Sequence, residues 1–166
     1  MSFASDVKDE LINVSRQSRQ SGEMKSCCRH AEMYGLFLFC RDFGSTEVSI
    51  KTENENVAAL FMQYAMLITG KKPKMEKSSA GKYKVSVIGS AERAKLLTAF
   101  GHTGHEVTRR MNRANIDDDC CVSALLRGAF ISCGTLTDPN KDYHLEFVVS
   151  HQVLCNDLMK LLTEID

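Results

Sequence analysis

The sequence has no apolar run long enough to span a bilayer, and its amino terminus, Met1-Ser2-Phe3-Ala4-Ser5-Asp6, lacks the basic-then-apolar layout of a signal peptide. The expectation is a cytoplasmic protein without membrane attachment. Proline is scarce at two residues, and glycine at ten does not dominate, which excludes a disordered or collagen-like chain. No C-x-x-C spacing occurs among the seven cysteines, and their odd number in a cytoplasmic chain points to free thiols rather than a disulfide framework. Net charge is absent too, with 21 basic residues against 21 acidic ones. What is present is 43% hydrophobic and 25% charged residues over 166 positions, enough for one ordinary domain, or two small ones, with a real core.

The zero net charge conceals a segregation. Residues 71–113 carry eleven Lys and Arg against Glu76, Glu92 and Glu106, a local charge of +8 that the remainder balances at −8. Such segregation can mark a nucleic-acid surface, and equally a solvated hairpin and helix.

The most informative feature is internal. The block from Cys27 to Cys40 recurs 93 residues later, with Cys27, Cys28, Ala31, Gly35, Phe37 and Cys40 meeting Cys120, Cys121, Ala124, Gly128, Phe130 and Cys133. A second block, Val57, Phe61, Met62, Ala65 and Ile68, falls on Leu154, Leu158, Met159, Leu162 and Ile165 at an offset of 97. Two copies are too few for a solenoid and imply a pseudo-two-fold domain.

Periodicity and punctuation supply the elements. Ser5 caps a helix to about Arg19, residues 20–26 form a polar loop, and a helix covers 27–41. Alternation around Val48 and Ile50 reads as a strand; Asn54 opens a helix that Gly70 ends. Residues 73–77 and 82–88 flank Ser78-Ser79-Ala80-Gly81 as a hairpin, and Ser90 caps a helix to Phe100. The second copy reads as a helix over 120–132, a turn at Asp138-Pro139-Asn140, a strand over 143–149 and a helix over 151–165. The expected organisation is an amino-terminal helix and loop (1–26), a first repeat (27–101), a linker (102–119) and an incomplete second repeat (120–166). Ala31 and Gly35 share one helix face, as do Ala124 and Gly128, so the two repeated helices should pack closely, with Gly35 facing Gly128.

On these residues the chain resembles a known family. Gly35-Leu36-Phe37-Leu38-Phe39-Cys40-Arg41 and Gly128-Ala129-Phe130-Ile131-Ser132-Cys133-Gly134 are similar to two degenerate LAGLIDADG motifs, the central helix pair of homing endonucleases. The chain as a whole resembles the amino-terminal part of the WhiA family of bacterial regulators. That resemblance runs through Ser2–Leu11, Lys25-Ser26-Cys27-Cys28-Arg29, Leu126–Phe130, Gly134–Pro139 and Tyr143–Glu146. It implies an α+β, homing-endonuclease-like pseudo-two-fold repeat, with an antiparallel saddle sheet packed under helices and a truncated second copy.

The departures from the motif bear on chemistry. In the nucleases an acidic residue closes each motif helix, and the two acids together hold the metal for phosphodiester cleavage. Here Cys40 and Cys133 stand at those positions, Leu38 and Ile131 at the earlier ones, and Arg41 replaces the first terminal glycine. Thiols are poor ligands for a hard Mg²⁺ ion, so no enzyme activity is expected. Cys27, Cys28 and His30, with Cys120 and Cys121, invite a zinc reading. Against it, neighbouring helical residues point about 100° apart and rarely serve one metal together. Buried cysteines acting as small hydrophobes are the simpler explanation, and neither metal nor cofactor is expected. His102-x-x-His105 with Glu106 lacks metalloprotease order, and Gly101-His102-Thr103-Gly104 is too short for a phosphate loop.

The resemblance implies a non-catalytic, DNA-associated regulator of sporulation, cell division and chromosome organisation, associated with the nucleoid. In that family a helix-turn-helix domain that follows is thought to carry most DNA recognition, and it is absent from these 166 residues. Weak, non-specific phosphate contacts would fall to Lys71, Lys72, Lys74, Lys77, Lys82, Lys84, Arg109, Arg110 and Arg113. Glu47 and Glu146 should share the open sheet face and oppose phosphate there. The alternative is an interaction module that binds a partner transcription regulator. Copy two has no counterpart to the later hairpin and helix of copy one. It should therefore leave an edge strand unpaired and Leu158, Leu161 and Leu162 exposed, inviting self-association.

Overall fold

The computed structural model describes residues 2–142 and 144–165. Its helices are α1 (Phe3–Gln20), α2 (Ser26–Leu38), α3 (Glu55–Thr69), α4 (Ser90–Ala99), α5 (Asp119–Cys133) and α6 (Gln152–Thr163). Between them run β1 (Asp42–Phe43), β2 (Val48–Thr52), β3 (Lys74–Lys77), β4 (Tyr83–Ser86), β5 (Gly134–Leu136) and β6 (Leu145–Phe147). Local chemistry explains most boundaries. Asn54 caps α3 by accepting from the backbone N–H groups of Asn56 at 2.8 Å and Val57 at 3.1 Å, and Gly70 ends it in the left-handed region at φ 76°. The cap of α1 is Ser2 rather than Ser5: its hydroxyl accepts from Ser5 N, and Ser5 Oγ instead accepts from Asn54 Nδ2 at 2.9 Å. Likewise Ser90 is the first residue of α4, behind Gly89.

The centre of the molecule is the parallel pair α2 and α5. A Cβ placed on Gly35 would land on the Leu125 carbonyl oxygen and within 2.9 Å of Ala129 N. One on Gly128 would land on the Glu32 carbonyl oxygen and within 2.9 Å of Leu36 N. Glu32 and Leu36 are the repeat equivalents of Leu125 and Ala129, so the two contacts are images of one another under a pseudo-two-fold axis. Each glycine therefore seats against the backbone of the partner helix. The expectation that Gly35 meets Gly128 itself is corrected by this small offset, which lets both backbones approach without the glycines competing for one spot.

Four antiparallel strands pair in the order β1-β2-β4-β3, with Lys51 opposite Lys84 and Glu76 opposite Lys84 in register. The second copy contributes its own two-stranded ladder, β5-β6. Val48, Ile50 and Val85 bury one sheet face against the helices, where Phe37, Phe61, Tyr34 and Phe100 fill the core. Leu158 and Leu161 are buried as well, and only Leu162 of the three leucines expected on the surface is exposed. The reason is the linker, which laps over α6 instead of merely connecting the copies. Arg110 pairs with Asp157 at 3.0 Å, Met111 N donates to the same carboxylate at 3.0 Å, and Arg113 pairs with Glu164 at 2.8 Å.

One buried charge ties the layers together. Glu32 is fully buried in α2, where it accepts from Ser15 at 2.8 Å, Arg19 at 3.3 Å, Tyr64 and Arg127. These partners come from α1, α3 and α5. Four donors satisfy an otherwise costly carboxylate and fix how the outer helices dock on the central pair.

Candidate functional site

The carboxyl-terminal ends of α2 and α5 are where a nuclease of this fold would place its acids. Cys40 is buried there, its thiol donating to the Asp42 carbonyl at 3.1 Å, and burial pushes it up to about 12. Cys133 closes α5, and burial pushes its thiol up to about 12 as well, against the opposing pull of Lys8. Both are therefore neutral thiols at ordinary pH. The space between them, a cavity of about 230 Å³, is also lined by Arg109 and His151. The Arg109 guanidinium donates to the carbonyls of Leu38 at 3.2 Å, Cys40 at 2.7 Å and Arg41 at 3.3 Å. These carbonyls lie at and just beyond the carboxyl-terminal end of α2, where the helix dipole also favours a cation. Asp42, the nearby carboxylate, is engaged by Ser49 at 3.2 Å and Arg41 at 3.6 Å. A fixed guanidinium in place of an acid pair repels a divalent cation.

The nine basic residues expected at a DNA surface are not gathered into one patch. Strand alternation puts Lys74 and Lys84 on the open sheet face, with Lys82 beside them at the hairpin turn. Lys77 lies on the other face, 5.4 Å from the Tyr83 ring centroid, and Lys71 and Lys72 sit in the bend after α3. Arg109 is at the helix end just described, and Arg110 and Arg113 are engaged by α6. Several are already neutralised: Lys84 by Glu47 at 2.9 Å, Lys74 by Glu76 at 2.7 Å and Lys71 by Glu92 at 4.0 Å. Glu47 is held below the usual carboxylate range by its hydrogen bond from Lys84. Glu146 lies apart from it, in the β5-β6 ladder, where it pairs with His144 at 2.8 Å. Lys51, directly opposite Lys84, joins the open face and was missed by the sequence reading. Only the strand register, which alternation within one strand does not supply, would have found it. Among the described residues, neither Lys51 nor Lys82 has a carboxylate within salt-bridge distance.

Two histidines make structural hydrogen bonds. His30 Nε2 lies 2.7 Å from Asn115 Oδ1, and His102 Nε2 lies 2.8 Å from the Tyr34 hydroxyl. Glu106 caps a turn by accepting from Thr103 N at 2.7 Å and Gly104 N at 2.8 Å. The cysteine pairs behave differently from the sequence expectation. The thiols of Cys27, Cys28, Cys120 and Cys121 converge, every Sγ lying within 4.8 Å of the others. Two adjacent side chains on one helix do diverge, but the pseudo-two-fold axis passes between them and brings the matching pair in from the facing helix.

The fold and the paired motif helices define a LAGLIDADG-type domain whose metal-binding acids are gone. Residues 122–166 match the model of the WhiA LAGLIDADG-like domain. Over its full length the chain is 31% identical to the probable cell division protein WhiA of Alkaliphilus metalliredigens (strain QYMF), covering 55% of that relative. It is 27% identical over 98% of its length to the protein of the same name from Carboxydothermus hydrogenoformans, covering 53% of it. The crystal structure of the N-terminal LAGLIDADG domain of DUF199/WhiA superimposes on 99% of the chain with a TM-score of 0.65 at 17% identity, and 76% of that chain is covered. The full-length DUF199/WhiA structure from Thermatoga maritima gives the same TM-score at 16% identity, with 51% of it covered. The chain is similar to WhiA proteins along its whole length and spans about half the length of the curated relatives it matches.

Proposed function

We propose that this chain is the non-catalytic scaffold of a WhiA-type regulator of cell division and developmental transcription, and that it rests on nucleoid DNA through the open face of its four-stranded sheet. The observation that carries the non-catalytic reading is Arg109, a cation hydrogen-bonded to three carbonyls between two neutral thiols. The DNA reading is supported by Lys51 and Lys82 on that open face, which have no carboxylate partner among the described residues. Contacts of this kind reach phosphate and read no bases.

Electrophoretic mobility at two salt concentrations tests the reading. Non-specific duplex binding with Kd of about 10⁻⁴–10⁻⁶ M at physiological salt is expected. A Lys51→Ala, Lys82→Ala double variant should flatten the salt slope by roughly two phosphates' worth. Plasmid should stay intact with Mg²⁺. Nicking that EDTA abolishes would end the non-catalytic reading; no binding even at low salt would end the DNA reading.

A second reading, a module that docks a partner regulator or another copy of itself, is favoured by the exposed apolar side chains Leu145, Val148, Met159 and Leu162 on the second copy. Sedimentation over a concentration series separates a self-associating chain from a monomeric one.

A further inference from the structure

The convergence of Cys27, Cys28, Cys120 and Cys121 at the amino-terminal end of the helix pair is not used by any function proposed above. We infer that these four thiols form a tetrathiolate zinc site that staples the first turns of α2 and α5 across the pseudo-two-fold axis. A tetrahedral ion with Zn–S bonds of about 2.3 Å holds its sulfurs roughly 3.8 Å apart. The observed spacing, within 4.8 Å for every pair, needs only small rotamer adjustments to reach that geometry. Four sulfurs, two from each copy, fill a closed coordination sphere with no open position, the pattern of structural rather than catalytic zinc.

Symmetry explains why adjacent cysteines succeed here. Neighbouring side chains about 100° apart on a helix straddle the direction toward the axis, each about 50° to one side. The divergence that prevents two such residues from pointing the same way suits a tetrahedron, whose ligands must also diverge. The repeat relation carries the pair Cys27 and Cys121 onto Cys120 and Cys28, so the site has the same two-fold character as the glycine contacts further along the helices.

The surroundings suit thiolates closed around a cation. The cluster sits at Ser26–Cys28 and Asp119–Cys121, in the first turns of both helices, where unpartnered N–H groups and the positive dipole end favour thiolate sulfur. Lys25 lines the same surface depression as Cys28 and Cys120, supplying positive charge beside a centre whose net charge would be −2. Asp117, Asp118 and Asp119 lead into α5 and draw a cation toward the site. His30 is turned to Asn115 and leaves the coordination to sulfur alone. A single ion fits the spacing better than an iron–sulfur cluster, whose cysteine ligands are spread over separate irons. Thiolate softness favours Zn²⁺ over Mg²⁺ or Ca²⁺. Binding converts four thiols to thiolates and releases four protons to solvent, so occupancy falls as the medium is acidified.

The test is elemental analysis of the chain purified under reducing conditions without chelator or added metal. One tightly held zinc per chain is expected, with Cys27, Cys28, Cys120 and Cys121 reacting with a thiol reagent more slowly before a chelator is added than after it. Replacement by Co²⁺ should give the visible bands and the thiolate-to-metal charge transfer of a tetrahedral tetrathiolate. Cys28→Ser and Cys120→Ser should each lose the zinc, and Cys155→Ser, outside the cluster, should keep it. Should the cluster variants fold poorly, the Co²⁺ spectrum of the unaltered chain decides the matter alone. Cluster cysteines that react with the reagent equally fast with and without excess Zn²⁺, a Co²⁺ spectrum without thiolate charge transfer, or bound iron in place of zinc would overturn the assignment.

Discussion

Replacing Gly128 with alanine pits two physical effects of opposite sign against each other. Glycine inside a helix is worse than alanine by about 0.8–1 kcal/mol, so propensity alone makes the exchange stabilising. The structure demands the reverse. The new methyl would land on the Glu32 carbonyl oxygen and lie 2.9 Å from Leu36 N, and both obstacles are backbone, which cannot rotate away as a side chain can. The helices must move apart along the best-packed seam of the molecule. Overpacking of this sort costs about 1–3 kcal/mol, and a backbone obstacle belongs near the upper end. Net destabilisation of about 2 kcal/mol follows after the propensity gain, or a Tm lower by roughly 4–8 °C for a chain of this size. Gly35→Ala should behave alike, because its methyl meets Leu125 and Ala129 in the mirrored position. The double variant should cost less than the sum, since separation forced by one methyl makes room for the other. Gly44→Ala is the control: its nearest neighbour is 3.9 Å away, and it should stay within about 0.5 kcal/mol of the parent. Urea titration measures all four. A stabilised or neutral Gly128→Ala would show that the helices do not approach through these glycines.

Two further outcomes follow from the linker. Arg109→Met removes the donors to the carbonyls of Leu38, Cys40 and Arg41 and should cost about 1–3 kcal/mol in urea titration, while leaving the salt slope of DNA binding unchanged. A flattened slope with unchanged stability would move Arg109 to the DNA surface instead. Burial holds His102 below the usual histidine range, against the pull of Glu106, so the folded ring resists a proton that the unfolded chain accepts. Stability should therefore be level above about pH 6.5 and decline as the pH falls toward the depressed folded value, and His102→Gln should remove part of that decline. Urea midpoints that rise on acidification, or an identical decline in the variant, would refute the assignment.

The repeat was legible because its physical cause is local. Alanine and glycine four residues apart mark a helix face that admits another backbone, and the same marks 93 residues later announce its partner. The same text showed Cys40 and Cys133 where acids would be needed, and placed the hairpin and the α3 boundaries through Asn54 and Gly70. What sequence could not decide is which charges meet. Lys84 reads as a free surface lysine until the folded sheet brings its side chain to Glu47, and Arg109 reads as part of a basic run until the linker folds it under the end of α2. Leu158 and Leu161 read as exposed because only the fold lays the linker over α6. The cysteine pairs are the sharpest case. Each pair judged on its own helix diverges and holds nothing, and only the packing of two helices around a shared axis brings four sulfurs within 4.8 Å. Periodicity and caps are written between near neighbours in the chain, whereas charge pairing and metal geometry depend on distances between residues up to about ninety positions apart, which tertiary packing alone sets.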